Sequence, residues 1–339
     1  MTRQLETPVV MIVFNRPNPT RLVFRAVAAA KPRKLLVVAD GPRTSRPGEE
    51  LLCSQVHSVF DGVDWPCEVL THSADSNLGC RERVISGLTW AFSLVEEAII
   101  LEDDCLPDQT FFYFCQELLG RYRGDDRVGM ISGRNCLPPH ITTNYSYHFS
   151  RVPHIWGWAT WRSAWQRYDP DLENWETVKQ DGILRQIYSR NAEVEYWNRI
   201  FESMRLGTGP DTWDYQWVYT NLINNLLSIR PSVNLVSNIG CGTDATHTHD
   251  ADSESARLPA HAMTFPLRHP PYMVPMTSFD DLDRQISFVP RFGRKVKRKL
   301  RSLRHRLLKQ HTDPGSPVAI ADETHEPVKV RDKSLSVDL

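Results

Sequence analysis

An α/β fold, Rossmann-like, with an open and mostly parallel sheet sandwiched by helices, is what this 339-residue sequence predicts. Three observations carry it. Short β-branched runs alternate with stretches whose apolar residues recur at helical spacing through residues 8–132. The strand-like runs are nearly all apolar, the pattern of buried strands. Several of them end on polar or charged residues: Asn15-Arg16, Asp40-Gly41 and Glu102-Asp103-Asp104.

Pro8 to Phe14 (PVVMIVF) is the first strand. Asn18 followed by Pro19 supplies an N-cap and a first-turn proline, and the helix they open places Leu22, Val23, Ala26, Val27 and Ala30 on one face. Leu35 to Ala39 is a second strand closing on Asp40, and Leu52, Val56, Val59 and Phe60 form the stripe of a helix after Pro47. A third strand runs from Cys67 to Thr71. Val84, Ile85, Leu88, Phe92 and Val95 repeat at helical spacing before Ala98 to Leu101, a fourth strand ending on Glu102. Asp108 caps a helix through Phe111, Cys115, Leu118 and Leu119, and Val128 to Ser132 is the fifth strand. Strands joined through helices imply right-handed crossovers and a largely parallel sheet.

Beyond about residue 140 the alternation stops, and eight of the ten tryptophans fall between Trp156 and Trp217. This half is expected to complete one domain, residues 1–275, with Trp161 and Trp165 on one helix face and Trp156-Gly157-Trp158 either in the core or in an acceptor-side loop. A linker over 276–290, a basic amphipathic helix over 291–310 and a disordered tail over 311–339 follow.

Composition excludes several classes. With 41% hydrophobic and 24% charged residues the chain is an ordinary globular one, and no apolar run approaches the roughly 18 residues of a membrane span. The N-terminus goes straight into a short strand without a signal-peptide pattern, so a cytoplasmic location is expected. Seven cysteines without a C-x-x-C pair point to reduced thiols. Net charge is −1, yet residues 291–310 hold ten Lys/Arg and no acid, while residues 1–290 hold 27 Lys/Arg against 35 Asp/Glu. Phe292, Val296, Leu300, Leu303 and Leu307 fall on one arc of that basic segment, the pattern of a helix lying on an anionic membrane surface. An acidic patch on a protein is its second reading. Nucleic acid is disfavoured, because the acidic body would repel it.

Ligands of open parallel sheets bind beyond the carboxyl ends of the strands. Three consecutive carboxylates there, Glu102-Asp103-Asp104, repel one another, and a divalent cation with oxygen ligands relieves the repulsion; a solvated acidic turn is the plainer alternative. Arg81 and Arg83 begin the helix leading to this strand, where they oppose the helix dipole unless an anion sits nearby or Glu82 neutralises them. Neither a P-loop nor a dinucleotide-binding glycine fingerprint is present.

The order strand–Asn15-Arg16, strand–Asp40-Gly41, Asn77-x-Gly79 with Arg81 and Arg83, and AIILEDD resembles the GT-A fold of nucleotide-sugar glycosyltransferases, the EDD triplet looking like their DXD-type metal motif. AIILEDDCLPDQTFFYF, HIWGWATWRSAW and TWDYQW with Arg230-Pro231 are similar, more narrowly, to the N-acetylglucosaminyltransferase I and protein O-mannose N-acetylglucosaminyltransferase group and its bacterial relatives. The resemblance spans about residues 8–245. It implies Asp104 as the protein ligand of Mn2+ or Mg2+, His247 as an additional C-terminal ligand, and Glu102 and Asp103 facing ribose and donor sugar. Arg16 and Asp40 would line the nucleotide pocket, with Arg81 and Arg83 near the phosphates.

Asp214 would be the general base in an inverting transfer, with Asp211 its rival and a capping or salt-bridged carboxylate the plainer reading. The implied donor is a nucleotide-diphosphate sugar, a UDP-sugar first, and the acceptor a glycan or lipid-linked hydroxyl. A sugar-phosphate nucleotidyltransferase and a non-catalytic carbohydrate-binding protein are the competing functions.

Overall fold

The computed structural model describes residues 4–240 and 258–287. His247, the basic segment 291–310 and the tail lie outside these residues. In chain order the elements are β1 (Val9–Val13), α1 (Pro17–Ala30), β2 (Lys34–Ala39), α2 (Glu49–His57), β3 (Glu68–Ser73), α3 (Cys80–Leu94) and β4 (Glu97–Glu102). There follow β5 (Cys105–Pro107), α4 (Gln109–Tyr122), β6 (Val128–Ser132), β7 (Tyr147–Ser150), β8 (Trp158–Trp161) and α5 (Arg162–Trp165). The remainder is α6 (Trp175–Gln180), α7 (Ile183–Ile187), α8 (Asn191–Arg205), α9 (Asp214–Ile223), β9 (Leu227–Pro231), β10 (Val236–Asn238) and α10 (Thr277–Ser287).

The α/β sandwich expected from the sequence is present. Eight strands form one sheet in the order β3-β2-β1-β4-β8-β6-β9-β7, parallel except for β8 and β7, which run against their neighbours. Strands β10 and β5 pair separately. Alternate strand residues point to opposite faces, so one run feeds two cores. Val9, Met11, Leu35, Val37 and Leu101 pack under α1 and α4, while Val10, Ile12, Leu36, Val38 and Ile100 pack under α3 and the tryptophans. That double burial explains runs without polar interruption. A third cluster, around Trp175, Trp197, Phe201 and Tyr219, joins α6 to α9.

Four local expectations are settled differently or decided by the structure. Helix α1 starts at Pro17 with Arg16 as N-cap, not at Asn18, because Pro17 already provides the fixed φ of a first helical residue. Leu22 is 44% exposed, since Val23, Phe24, Val27 and Ala30 define the buried face. Trp161 is a strand residue of β8, so it shares no helix face with Trp165. Trp158, fully buried in β8, stacks on Trp213 and is not a loop residue.

The expected linker contains α10, which is docked on the body by charge as well as by apolar contact. Asp280 accepts from Ser150 Oγ (2.6 Å) and the Arg151 N–H (2.9 Å). Asp283 pairs with the buried Arg230 guanidinium (2.7 Å) and accepts from Cys136 Sγ (3.1 Å), with His154 Nε2 at 3.0 Å. Burial alone pushes the Asp283 carboxyl up, but Arg230 and His154 outweigh it and hold it well below the usual carboxylate range.

A depressed acid stabilises the fold fully above its unfolded pKa, near 4, and the contribution is lost as pH falls toward the lower folded value. Asp283→Asn leaves Arg230 buried without its counter-charge and is expected to cost about 3–5 kcal/mol. Chemical denaturation at pH 7 measures this. A loss below about 1 kcal/mol would show that the pair does not anchor α10.

Candidate functional site

The parallel strands β1, β2 and β4 deliver Arg16, Asp40 and the Glu102-Asp103-Asp104 turn to the same carboxyl edge of the sheet. Arg16 leaves β1 and its carbonyl accepts from the Thr20 N–H (3.2 Å) and Thr20 Oγ1 (2.6 Å), fixing the start of α1. Its guanidinium reaches the acidic turn. Nε bonds Asp103 Oδ2 (3.1 Å), and Nη2 bonds Asp103 Oδ1 and lies 3.0 Å from Asp104 Oδ2.

One guanidinium therefore serves two of the three carboxylates, Asp103 and Asp104. Burial, followed by the charges of Asp104 and Asp103, pushes the Glu102 carboxyl up to about 8, and its Oε1 is buried without a hydrogen-bond partner. Burial likewise raises Asp103 to about 6 even though Arg16 pulls it down. Asp104 is held differently. Its carbonyl accepts from the Ile239 N–H (2.8 Å), and its Oδ1 faces Asn238 Nδ2 (3.4 Å) and the Cys105 thiol (3.6 Å). A side chain at residue 240 would displace the pair, because a Cβ there would stand 2.1 Å from Asp104 Oδ2 and 2.8 Å from Arg16 Nη1.

Asp40 is buried and accepts four bonds, from the N–H groups of Gly41 (2.9 Å), Leu78 (2.9 Å) and Gly79 (3.2 Å) and from Asn77 Nδ2 (2.8 Å). It therefore fastens the loop after β2 to the loop before α3. Gly79 has φ +82°, and a Cβ there would meet Asp211 Oδ2 at 2.6 Å. Asp211 caps α3 across the chain, accepting from the Cys80 N–H (2.9 Å) and the Arg81 N–H (3.1 Å). The first N–H groups of α3, expected to face a phosphate, are thus met by a carboxylate of the chain itself. Arg81 turns to the Pro170 carbonyl (2.8 Å) and Asp171, while the buried Arg83 donates to the His72 carbonyl (2.8 Å) beside the His72 ring. Neither arginine reaches the acidic turn by any of these contacts.

Asp214 opens α9, with Thr212 Oγ1 donating to its Oδ1 (2.5 Å) and Trp213 buried beside it. It lies near enough to Glu102 to help raise that carboxyl. Cys80 is the meeting point that sequence reasoning missed: burial, then the charges of Glu102, Asp211, Asp214 and Asp40, push its thiol far up. Four carboxylates from three chain segments therefore lie within electrostatic reach of the first residue of α3. No local spacing announces it.

A second polar cluster also escaped the sequence reading. The ligating atoms of Cys136, His154 and Asp283 lie within 4.8 Å of one another, a spacing that could hold a metal ion. Arg230, however, already supplies the balancing charge at 2.7 Å, and burial with the Arg230 charge pushes His154 down to about 4, keeping it neutral. The contacts of this cluster describe an anchor for α10. The acidic turn offers oxygen donors alone, the kind a hard divalent cation takes, and one of them is buried without a partner while Arg16 pairs with only two of its three carboxylates; among the described residues, however, only the Cys136, His154 and Asp283 cluster brings three ligating atoms within 4.8 Å of one another.

No family model matches the chain, and no curated protein matches it. Among solved structures it is similar to a mannosyltransferase from Pyrobaculum calidifontis in complex with GDP-Man and Mn2+, at 12% identity over 65% of this chain and 70% of that one, with a TM-score of 0.36. It is also similar to a UDP-glucose pyrophosphorylase complexed with UDP-glucose, at 9% identity over 44% and 65% of the two chains, with a TM-score of 0.25. Likeness this distant leaves the chemistry to be argued from the residues above.

Proposed function

We propose that this protein is a divalent-cation-dependent glycosyltransferase moving a sugar from a nucleotide-diphosphate donor, a UDP-sugar first, to a hydroxyl of a glycan or lipid-linked acceptor. One observation supports the reading: at the carboxyl edge of the sheet three consecutive carboxylates lie beside one guanidinium that pairs with two of them, leaving the buried Glu102 Oε1 without a partner, with a further carboxylate, Asp214, in electrostatic reach. Ionising all three would give the turn a net charge of −2, which burial and mutual repulsion resist by raising Glu102 to about 8, and one Mn2+ or Mg2+ would relieve that cost.

Asp104 would hold the cation, with Glu102 and Asp103 beside it toward the ribose and donor sugar. When bound, the cation neutralises charge developing on the departing diphosphate. Arg16 stands on the same turn and can meet a diphosphate oxygen. Asp40, through its four bonds, keeps the loop wall in place while the nucleotide binds. Asp214 accepts the proton of the acceptor hydroxyl as the new bond forms, which belongs to the transition state because the hydroxyl becomes acidic only then. Attack from the face opposite the leaving group inverts the anomeric carbon.

Thermal unfolding in the presence of UDP-, GDP- and dTDP-sugars, each with Mn2+ and with EDTA, tests the reading. A ligand that binds the native state raises its apparent stability by mass action. The expected result is stabilisation by one nucleotide class that EDTA removes. Absence of a cation-dependent shift with all three would reject the donor assignment.

A further inference from the structure

We infer that Arg16 occupies the cation seat on Asp104, so that a divalent ion and this guanidinium exclude one another and the nucleotide's diphosphate is what draws the arginine away. The inference rests on the reading of Asp104 as the cation ligand and adds a competitor from within the chain. Asp104 Oδ2 faces Arg16 Nη2 at 3.0 Å, whereas the contacts of Oδ1 among the described residues are long ones with neutral donors, Asn238 at 3.4 Å and Cys105 at 3.6 Å.

Gly240 lies against Oδ2, where a Cβ would stand 2.1 Å away. An ion bonded to this oxygen at about 2.1 Å would sit within a few ångströms of the guanidinium, and like charges at that separation repel by several times thermal energy.

Two further observations make the arginine movable. Its structural duty to α1 is discharged by the main-chain carbonyl, which accepts from Thr20, and not by the side chain. The side chain is 23% exposed, with Asp103 as a tether that survives release from Asp104. A diphosphate arriving beside the turn offers the guanidinium bidentate acceptors. Cation and nucleotide should therefore bind cooperatively, each weakly alone, because the nucleotide removes the group that repels the cation.

The test is titration of the full chain with Mn2+ alone, by electron paramagnetic resonance of the free ion, and then with Mn2+ in the presence of UDP or GDP. Arg16→Gln is expected to bind Mn2+ alone about tenfold tighter than the native protein, or better, and to lose most of the enhancement that the nucleotide gives. Arg16→Lys keeps the charge and is expected to stay within about threefold of native for Mn2+ alone, which separates charge from packing. If native protein binds Mn2+ and Arg16→Gln binds it no tighter, or both variants tighten equally, the competition is rejected while the cation site stands. If neither native protein nor Arg16→Gln binds Mn2+ with or without nucleotide, the cation-dependent reading falls, and the inference with it.

Discussion

Asp104→Ala is expected to abolish transfer and to remove the cation dependence of nucleotide binding. Asp104 is the turn carboxylate whose Oδ2 is held by a single movable group, and it is fixed in place by the Ile239 N–H on its carbonyl. Its loss leaves Asp103 still paired with Arg16 and removes one excess negative charge from the turn, so the fold should persist. What disappears is the seat of a charge that offsets several kcal/mol at the leaving diphosphate, which corresponds to roughly a thousandfold or more in rate. Single-turnover transfer and Mn2+-dependent thermal stabilisation by nucleoside diphosphate measure the two parts separately. Full turnover by the variant, or native turnover indifferent to excess EDTA, would remove the cation from the mechanism.

Asp214→Asn is expected to leave donor affinity nearly intact while transfer falls by roughly 10²- to 10⁴-fold, the usual consequence of losing a general base. Asparagine can still accept the Thr212 hydroxyl, so the opening of α9 is preserved and the loss is one of proton affinity. Asp211 gives the contrasting case. It is engaged by the Cys80 and Arg81 N–H groups, so Asp211→Ala should cost about 1 kcal/mol of stability as a lost helix cap, with transfer at saturating donor largely retained. The reverse pattern, a slow Asp211 variant and an active Asp214 variant, would exchange their roles. Weak donor binding with normal saturated turnover in Asp214→Asn would instead assign that residue to donor recognition.

Hydrophobic periodicity is a local property, and what depended on it was legible in the sequence. Four of the six strands up to residue 132, β1, β2, β4 and β6, were readable because each is a short apolar run ending near a polar residue; β3 was foreseen within two residues although it is largely exposed, and the three-residue β5 was missed. Helix α4 was readable because Asp108 accepts from the Thr110 N–H and Phe111, Cys115, Leu118 and Leu119 are fully buried one turn apart. The carboxyl-end rule for parallel sheets then placed Arg16, Asp40 and the acidic triplet on one edge before any contact was known. The antiparallel β8 was not legible, because Trp158 to Trp161 reads equally well as helix when four buried residues are too few to show a period.

Partnership across the chain was decided by the tertiary structure alone. Arg16 meets Asp103 across 87 positions, Asp211 caps α3 across 131 and 130, and Asp283 gathers Cys136 and His154 across 147 and 129. A charge written in a sequence carries no record of its distance from another. Which guanidinium neutralises which carboxylate, and which carboxylates stay unneutralised and open to a cation, is set when the sheet closes and brings loop ends within a few ångströms, where Coulomb energies become large. The chain by itself determined where the charges sit along the strands, and folding determined which of them were spent on one another.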